Sequence, residues 1–301
     1  MCKDLHKLNL DDYECYVFDC DGVLWHGDEA IPGAVELIEE LHKREKKVYF
    51  VTNASKRSRV ELLKKIHNLG FKSVVAEQCY PSGFFCAEYL RSTYPAEVSN
   101  LYVIGGAGLV HELKLQGFNV TGGPDSNEFA IDVDESVFTS LASSLNETEY
   151  HGVVVGFDSN FNFQKLCKAS IILQQNPAAF LCATNEDAFV RVGSFGMPGN
   201  GAIASTVKYC LATACRSVED SRYLVTGKPD ARIIDFVMAK AGVSDKRKCL
   251  MVGDRLDTDI QLAVNAGIHS CFVLSGCSTV KDLAAWGNSP TYVLDSVKAF
   301  L

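Results

Sequence analysis

Short apolar runs alternate, at both ends of the chain, with apolar residues spaced for one face of a helix, and this alternation limits the fold more than any other feature of the sequence. Tyr16-Val17-Phe18 runs into Asp19, and Val48-Tyr49-Phe50-Val51 runs into Thr52. Between them Ala34, Leu37, Ile38 and Leu41 recur at helical spacing behind Pro32. The pattern returns with Tyr223-Leu224-Val225. A stripe of Ile233, Ile234, Val237, Met238 and Ala241 follows Pro229-Asp230 and stops at Gly242. Cys249 to Val252 reads as a further strand, residues 258–265 as a helix stopped by Gly267, and Ser270 to Leu274 as one more strand. Strand, helix, strand in this order predicts an α/β protein with a Rossmann-like three-layer core around a central parallel sheet. Residues 95–220 carry their own strand and helix signals, separated by polar or Gly-rich loops. They read as an α/β domain inserted between core segments 1–94 and 221–301.

Composition narrows the classes of function. The 301 residues are 47% hydrophobic and 22% charged, as in an ordinary globular protein. With 29 Lys plus Arg against 37 Asp plus Glu, the net charge is −8 and there is no long basic run, which argues against nucleic acid as a partner. No apolar run approaches the length of a membrane span, and residues 1–12 are too polar for a signal peptide. The 12 Cys lie mostly in apolar stretches and form no Cys-x-x-Cys pair, so they read as reduced thiols of a cytoplasmic protein.

Ligands of open parallel sheets bind beyond the carboxyl ends of the strands. Those ends here are Asp19-Cys20-Asp21-Gly22, Thr52-Asn53, Gly227-Lys228-Pro229 and Gly253-Asp254, with Asp257 and Asp259 close behind. The set holds several carboxylates, one hydroxyl, one amide and one cation. Clustered acids raise one another's pKa, and Mg²⁺ held by Asp19, Asp21 and Asp254 would relieve that repulsion. With the ion and Lys228 in place the pocket is locally cationic and suits a phosphate monoester. Thr52 and backbone N–H groups near Asp21 and Gly22 are donors to its oxygens. Asp19 can then attack phosphorus to give an aspartyl phosphate, while Asp21 protonates the leaving oxygen and later deprotonates water.

Phe18 to Trp25, Val51-Thr52-Asn53-Ala54-Ser55, Gly227-Lys228-Pro229 and Gly253 to Ile260 resemble motifs I to IV of the haloacid dehalogenase (HAD) superfamily of phosphatases. The long insert resembles the C2-type cap of its phosphoglycolate, 4-nitrophenyl, pyridoxal and NagD-like phosphatase branch. The resemblance implies Asp19 as nucleophile, Asp21 as acid/base whose carbonyl also ligates Mg²⁺, and Asp254 as the third ligand. It places Thr52, Asn53 and Lys228 at the phosphate and Asp259 in support. Where relatives often have Asn-Asn-Ser, this chain has Asn53-Ala54-Ser55, so position 54 offers only its backbone N–H. The segment Thr184 to Arg191, then Pro198-Gly199-Asn200-Gly201, resembles the family's substrate-specificity loop, which makes Asn185 and Arg191 candidate substrate contacts. The absence of His from that loop favours a small acid phosphate such as 2-phosphoglycolate over pyridoxal phosphate or a sugar phosphate, with 4-nitrophenyl phosphate as an artificial substrate. The resemblance also implies a homodimer formed through the cap.

Two other classes compete. A receiver-like signalling module shares the Asp, Thr, Lys and Mg²⁺ but carries no large insert, and a catalytically silent binding protein of the same fold would not need all four motifs. Gly105-Gly106-Ala107-Gly108 invites a dinucleotide-binding reading, yet lacks the full spacing and reads as a tight strand-to-helix turn. Cys20 lies between two acids that would raise its pKa, as expected of an inert thiol.

Overall fold

The structure, a computed structural model, describes residues 8–124, 134–193, 195–214 and 222–301. The chain divides into two compact units. One comprises Met1–Thr52, Arg59–Pro81 and Lys228–Leu301, the other Asn53–Ser58 and Ser82–Gly227.

The first unit is built on a six-stranded sheet. Its order is Tyr292–Leu294, His269–Val273, Cys249–Gly253, Cys15–Phe18, Lys47–Thr52, Cys79–Pro81. Every pairing in it is parallel. The strand Cys15–Phe18 is fully buried, as a strand covered on both faces must be. Helix Ala34–Lys43 turns Ala34, Leu37, Ile38 and Leu41 inward, all with no exposed surface, the stripe expected from their spacing. These side chains join Tyr16, Phe18, Val48 and Phe50 in one core. Helix Arg232–Ala241 buries Ile233, Ile234, Val237 and Met238 and ends at Gly242, whose φ of 70° suits glycine.

Strand order fixes where chemistry can occur. From Cys15–Phe18 the chain goes to Lys47–Thr52 on one side, and only much later fills the other side with Cys249–Gly253. Phe18 pairs with Val252 and the Asp19 N–H donates to the Val252 carbonyl at 2.9 Å. The segments beginning at Asp19 and Asp254 therefore leave the sheet side by side, at the switch point where open α/β sheets bind ligands.

The second unit holds a five-stranded parallel sheet in the order Tyr223–Val225, Phe180–Ala183, Gly152–Val155, Asn100–Ile104, Asn119–Gly122. A separate antiparallel hairpin pairs Phe189–Val192 with Phe195–Pro198. The division between the units differs from boundaries at 95 and 220. Tyr223–Val225 belongs to the second sheet, pairing Tyr223 with Leu181. Helix Ser82–Thr93 also belongs there, because Cys86, Ala87 and Leu90 pack with Leu101, Val103 and Leu109. An apolar run announces a strand but not which sheet it joins. Gly105 and Gly106 do form a strand-to-helix turn, before helix Ala107–Leu115. Gly108 is needed for close approach: a Cβ there would lie 2.3 Å from the Arg57 carbonyl carbon.

Candidate active site

In the first unit the strand ends bring together Asp19, Lys228, Asp254 and Asp259, all buried. Lys228 Nζ lies 2.5 Å from Asp19 Oδ1 and 2.7 Å from Asp259 Oδ1, and donates to the Val51 carbonyl at 3.1 Å. Asp259 arrives on the wide turn Leu256–Ile260, and its Oδ2 accepts from the backbone N–H groups of Asp254 (3.2 Å) and Arg255 (3.0 Å). This close return requires glycine at 253, where a Cβ would stand 2.1 Å from Asp259 Cβ. Asp254 Oδ2 accepts from the Cys277 N–H at 2.5 Å, whereas its Oδ1 is buried and has no hydrogen-bond partner among the described residues. Gly22 and Gly276 wall in that carboxylate: a Cβ on either would come within 2.5 Å of Asp254 Oδ2.

The electrostatics follow from this crowding. Burial, opposed by Lys228 and reinforced by Asp259 and Asp254, raises Asp19 well above the usual carboxylate range. Burial and then Asp259 push Asp254 up to about 7, against the Cys277 N–H and Lys228. For Lys228, burial alone would lower the pKa, but Asp19 and Asp259 override it and hold the ammonium well above its usual range. With one ammonium among three carboxyl groups, full ionisation would leave two negative charges uncompensated. Asp19, Asp254 and Asp259 can each aim one oxygen so that all lie within 4.8 Å of one another. With the orphaned Asp254 Oδ1, an all-oxygen donor set of this charge fits a hard divalent cation.

The other expected residues fall into distinct places. Thr52 is buried at the end of the strand Lys47–Thr52. The Asp21 carboxylate stands outside the acidic cluster with its side chain 58% exposed, accepting from Trp25 Nε1 at 2.8 Å and facing Lys65 Nζ at 3.7 Å. Gly22 turns with a φ of +88°, and its carbonyl accepts from Ser275 Oγ at 2.7 Å. Cys20 is buried, and burial, with Asp19 and Asp21 adding to it, pushes its thiol up, as inertness requires. In the second unit, Asn53 Nδ2 donates to Asp187 Oδ1 at 2.7 Å and Asn185 Nδ2 to the Asn53 carbonyl at 2.8 Å. Ala54 is half-buried beside them in sequence, and Arg191 is exposed on the hairpin strand Phe189–Val192.

Sequence reasoning gave Asp259 only a supporting part, although its carboxylate stands among the ligand-capable ones; the signal was its spacing five residues after Asp254. It missed Trp25, Lys65 and Cys277 as partners of the acids. Trp25 closes the Phe18–Trp25 motif, but nothing in the sequence aims its indole at Asp21, and Lys65 is a cation on a later helix, Arg59–Asn68, with no motif of its own.

Comparison with known proteins identifies the family. Residues 16–119 match the family described as haloacid dehalogenase-like hydrolase, and residues 225–300 match a related HAD-like hydrolase family. Phosphoglycolate phosphatase 2 of Arabidopsis thaliana is 34% identical, over 97% of this chain and 93% of the relative. Glycerol-3-phosphate phosphatase of Gallus gallus is 33% identical over 97% and 92%. Among solved structures, 4-nitrophenylphosphatase from Thermotoga maritima superposes with a TM-score of 0.77 at 27% identity, covering 96% of this chain and 97% of that one. The chain belongs to the haloacid dehalogenase-like hydrolases. Within that family it stands among the phosphatases.

Proposed function

We propose that this protein is a Mg²⁺-dependent phosphomonoesterase that hydrolyses small phosphorylated metabolites through an aspartyl phosphate on Asp19. The observation that carries the reading is the buried group of Asp19, Lys228, Asp254 and Asp259, with one Asp254 oxygen left without a hydrogen-bond partner among the described residues. Mg²⁺ bound by Asp19, Asp254 and the Asp21 carbonyl, with Asp259 beside them, would supply positive charge to offset the phosphate oxygens.

The chain's own groups divide the remaining work. Lys228 holds the Asp19 carboxylate at Oδ1 and adds charge at the phosphate. Asp259 steadies Lys228 from the other side. The Thr52 hydroxyl and the backbone N–H of Asp21 would donate to phosphate oxygens, whereas the Gly22 N–H, read from the sequence as a further donor, is taken by the Trp25 carbonyl at 2.8 Å. Asp19 bonds to phosphorus as the ester oxygen leaves with its electron pair, and Asp21 gives that oxygen a proton. Asp21 then takes a proton from water, whose oxygen bonds to phosphorus as the bond to Asp19 breaks.

For substrate, the reading assigns Asn53, Ala54, Asn185 and Arg191 to binding. It favours a small acid phosphate resembling 2-phosphoglycolate, which is supported by the relative named phosphoglycolate phosphatase. A homodimer through the second unit is supported by exposed Phe195 (71%) and Met197 (48%) on the hairpin strand Phe195–Pro198. No helix among the described residues is long and apolar enough to cross a membrane. A cytoplasmic setting is supported by buried thiols such as Cys15, Cys79 and Cys271.

Phosphate release from a panel of 2-phosphoglycolate, glycerol 3-phosphate, pyridoxal phosphate, sugar phosphates and 4-nitrophenyl phosphate tests the proposal. Asp19→Asn is expected to reduce release to background, and chelation of divalent ions to stop the wild type. Substantial turnover by Asp19→Asn, or full activity in excess chelator, would overturn the assignment.

A further inference from the structure

Asp21 is held at one oxygen only. Its Oδ1 accepts the Trp25 indole N–H at 2.8 Å and faces Lys65 Nζ at 3.7 Å. Among the described residues no hydrogen bond or ion pair engages Oδ2. Both partners are themselves fixed. Trp25 is buried, edge-on to Phe71 at 6.3 Å between ring centroids. Lys65, on helix Arg59–Asn68, keeps only 11% of its side chain exposed and places Nζ 4.9 Å from the centre of the Trp25 ring. The Gly22 N–H donates to the Trp25 carbonyl at 2.8 Å, which closes the loop between the carboxylate and the indole.

The contacts are not required by the carboxylate itself, because the Asp21 side chain is 58% exposed and water could solvate it. Ion pairs at that exposure stabilise by about 0–1 kcal/mol. What the arrangement does provide is direction. Indole and ammonium are donors only, so Oδ1 must present lone pairs to both, and the proton that Asp21 carries is confined to Oδ2.

We propose that Lys65 and Trp25 are positioning residues that pin Oδ1 of Asp21, so that Oδ2 serves the leaving oxygen and then the attacking water. The inference rests on the acid/base part assigned to Asp21 above. As the ester P–O bond breaks, its electron pair stays with the leaving oxygen, which takes the Oδ2 proton, and the resulting carboxylate charge faces Lys65. In the second half, water passes a proton to Oδ2 while its oxygen bonds to phosphorus and the phosphorus–Asp19 bond breaks.

The alternative is that Trp25 only fills the core and Lys65 only covers it. The two differ in how the loss depends on the leaving group. The test compares kcat/KM for wild type, Trp25→Phe, Lys65→Met and Lys65→Arg on phenyl phosphate and 4-nitrophenyl phosphate. These esters are nearly the same shape, but phenoxide is about as basic as a tyrosinate (pKa about 10) and needs the proton, whereas 4-nitrophenolate does not. Trp25→Phe and Lys65→Met are expected to lower kcat/KM on phenyl phosphate about tenfold or more and on 4-nitrophenyl phosphate less than about threefold, a fraction of what general acid catalysis supplies. Lys65→Arg is expected to restore most of the loss. Equal losses on both esters, or none, would overturn the assignment while leaving the phosphatase intact. A wild type inert toward both esters would overturn the phosphatase reading and this one with it. Should Trp25→Phe fold poorly, the Lys65 variants decide the question alone.

Discussion

At Gly253 the absence of one methyl group decides the geometry of the site. Asp259 folds back until its Cβ stands where a side chain at 253 would begin, 2.1 Å from the ideal Cβ position. From there it reaches the N–H groups of Asp254 and Arg255 and the Lys228 ammonium. Gly253→Ala is therefore expected to displace Asp259 and, through it, Lys228, lowering kcat about 100-fold, the scale of an ångström of misplacement in a catalytic group. Gly287→Ala, at a position with nothing within 4 Å, is the control expected to leave kcat unchanged. Steady-state kinetics on an aryl phosphate reads both. Much of this site was legible in the sequence, because Asp19, Thr52, Lys228 and Asp254 each end or follow an apolar run, and the ends of parallel strands converge. The partners of Asp21 were not, because a hydrogen bond from Trp25 and a cation on a later helix depend on how the loop at Gly22 turns.

Elements were most readable where one face alone is buried. The stripe Ala34, Leu37, Ile38 and Leu41 has a period that only a helix satisfies, and all four side chains are fully buried. Leu37→Ala is expected to cost about 2–5 kcal/mol by deleting buried methyl groups and leaving a cavity, seen as a lowered midpoint in denaturant without a change in slope. The strand Tyr223–Val225 marks the limit of such reading. Its sequence resembles that of the central strands, yet it pairs with Phe180–Ala183 at the margin of the second sheet. Partner choice among parallel strands is made by helices and crossovers spread along the chain, and three apolar residues carry no record of it. The glycines at 105 and 106 were readable for the opposite reason, since a turn is a local demand.

For the molecule as a whole, the acidic cluster ties stability to pH, and with the proposed ion also to divalent cation. Burial and Asp259 raise Asp254 from 3.8 to about 7. Its protonated form is thus favoured by folding, and the stability it contributes is present below pH about 4 and lost as pH rises through about 7. A divalent ion needs the deprotonated form, so at pH about 5 it must displace a proton that is already absent at pH about 8. Addition of Mg²⁺ is expected to raise the melting temperature more at pH about 8 than at pH about 5, measured by calorimetry with and without chelator. An equal rise at both values would separate Asp254 from the ion. The net charge of −8, which by itself would repel an anionic ester, is in part these same acids, and a bound divalent cation would offset it at the site.

The ion pair between Lys228 and Asp19 spans 209 positions of sequence. During synthesis the ribosome delivers Asp19 and Thr52 early, but the ammonium that faces Asp19 is made only after the whole second unit has emerged, and Asp254 and Asp259 later still. The strand Cys15–Phe18, whose neighbour Cys249–Gly253 is equally late, must wait with one edge unpaired. A growing chain therefore holds only one side of the acidic cluster until its last quarter is made. Products truncated before Lys228 lack Lys228, Asp254 and Asp259 together, and are expected to release no phosphate from an aryl phosphate.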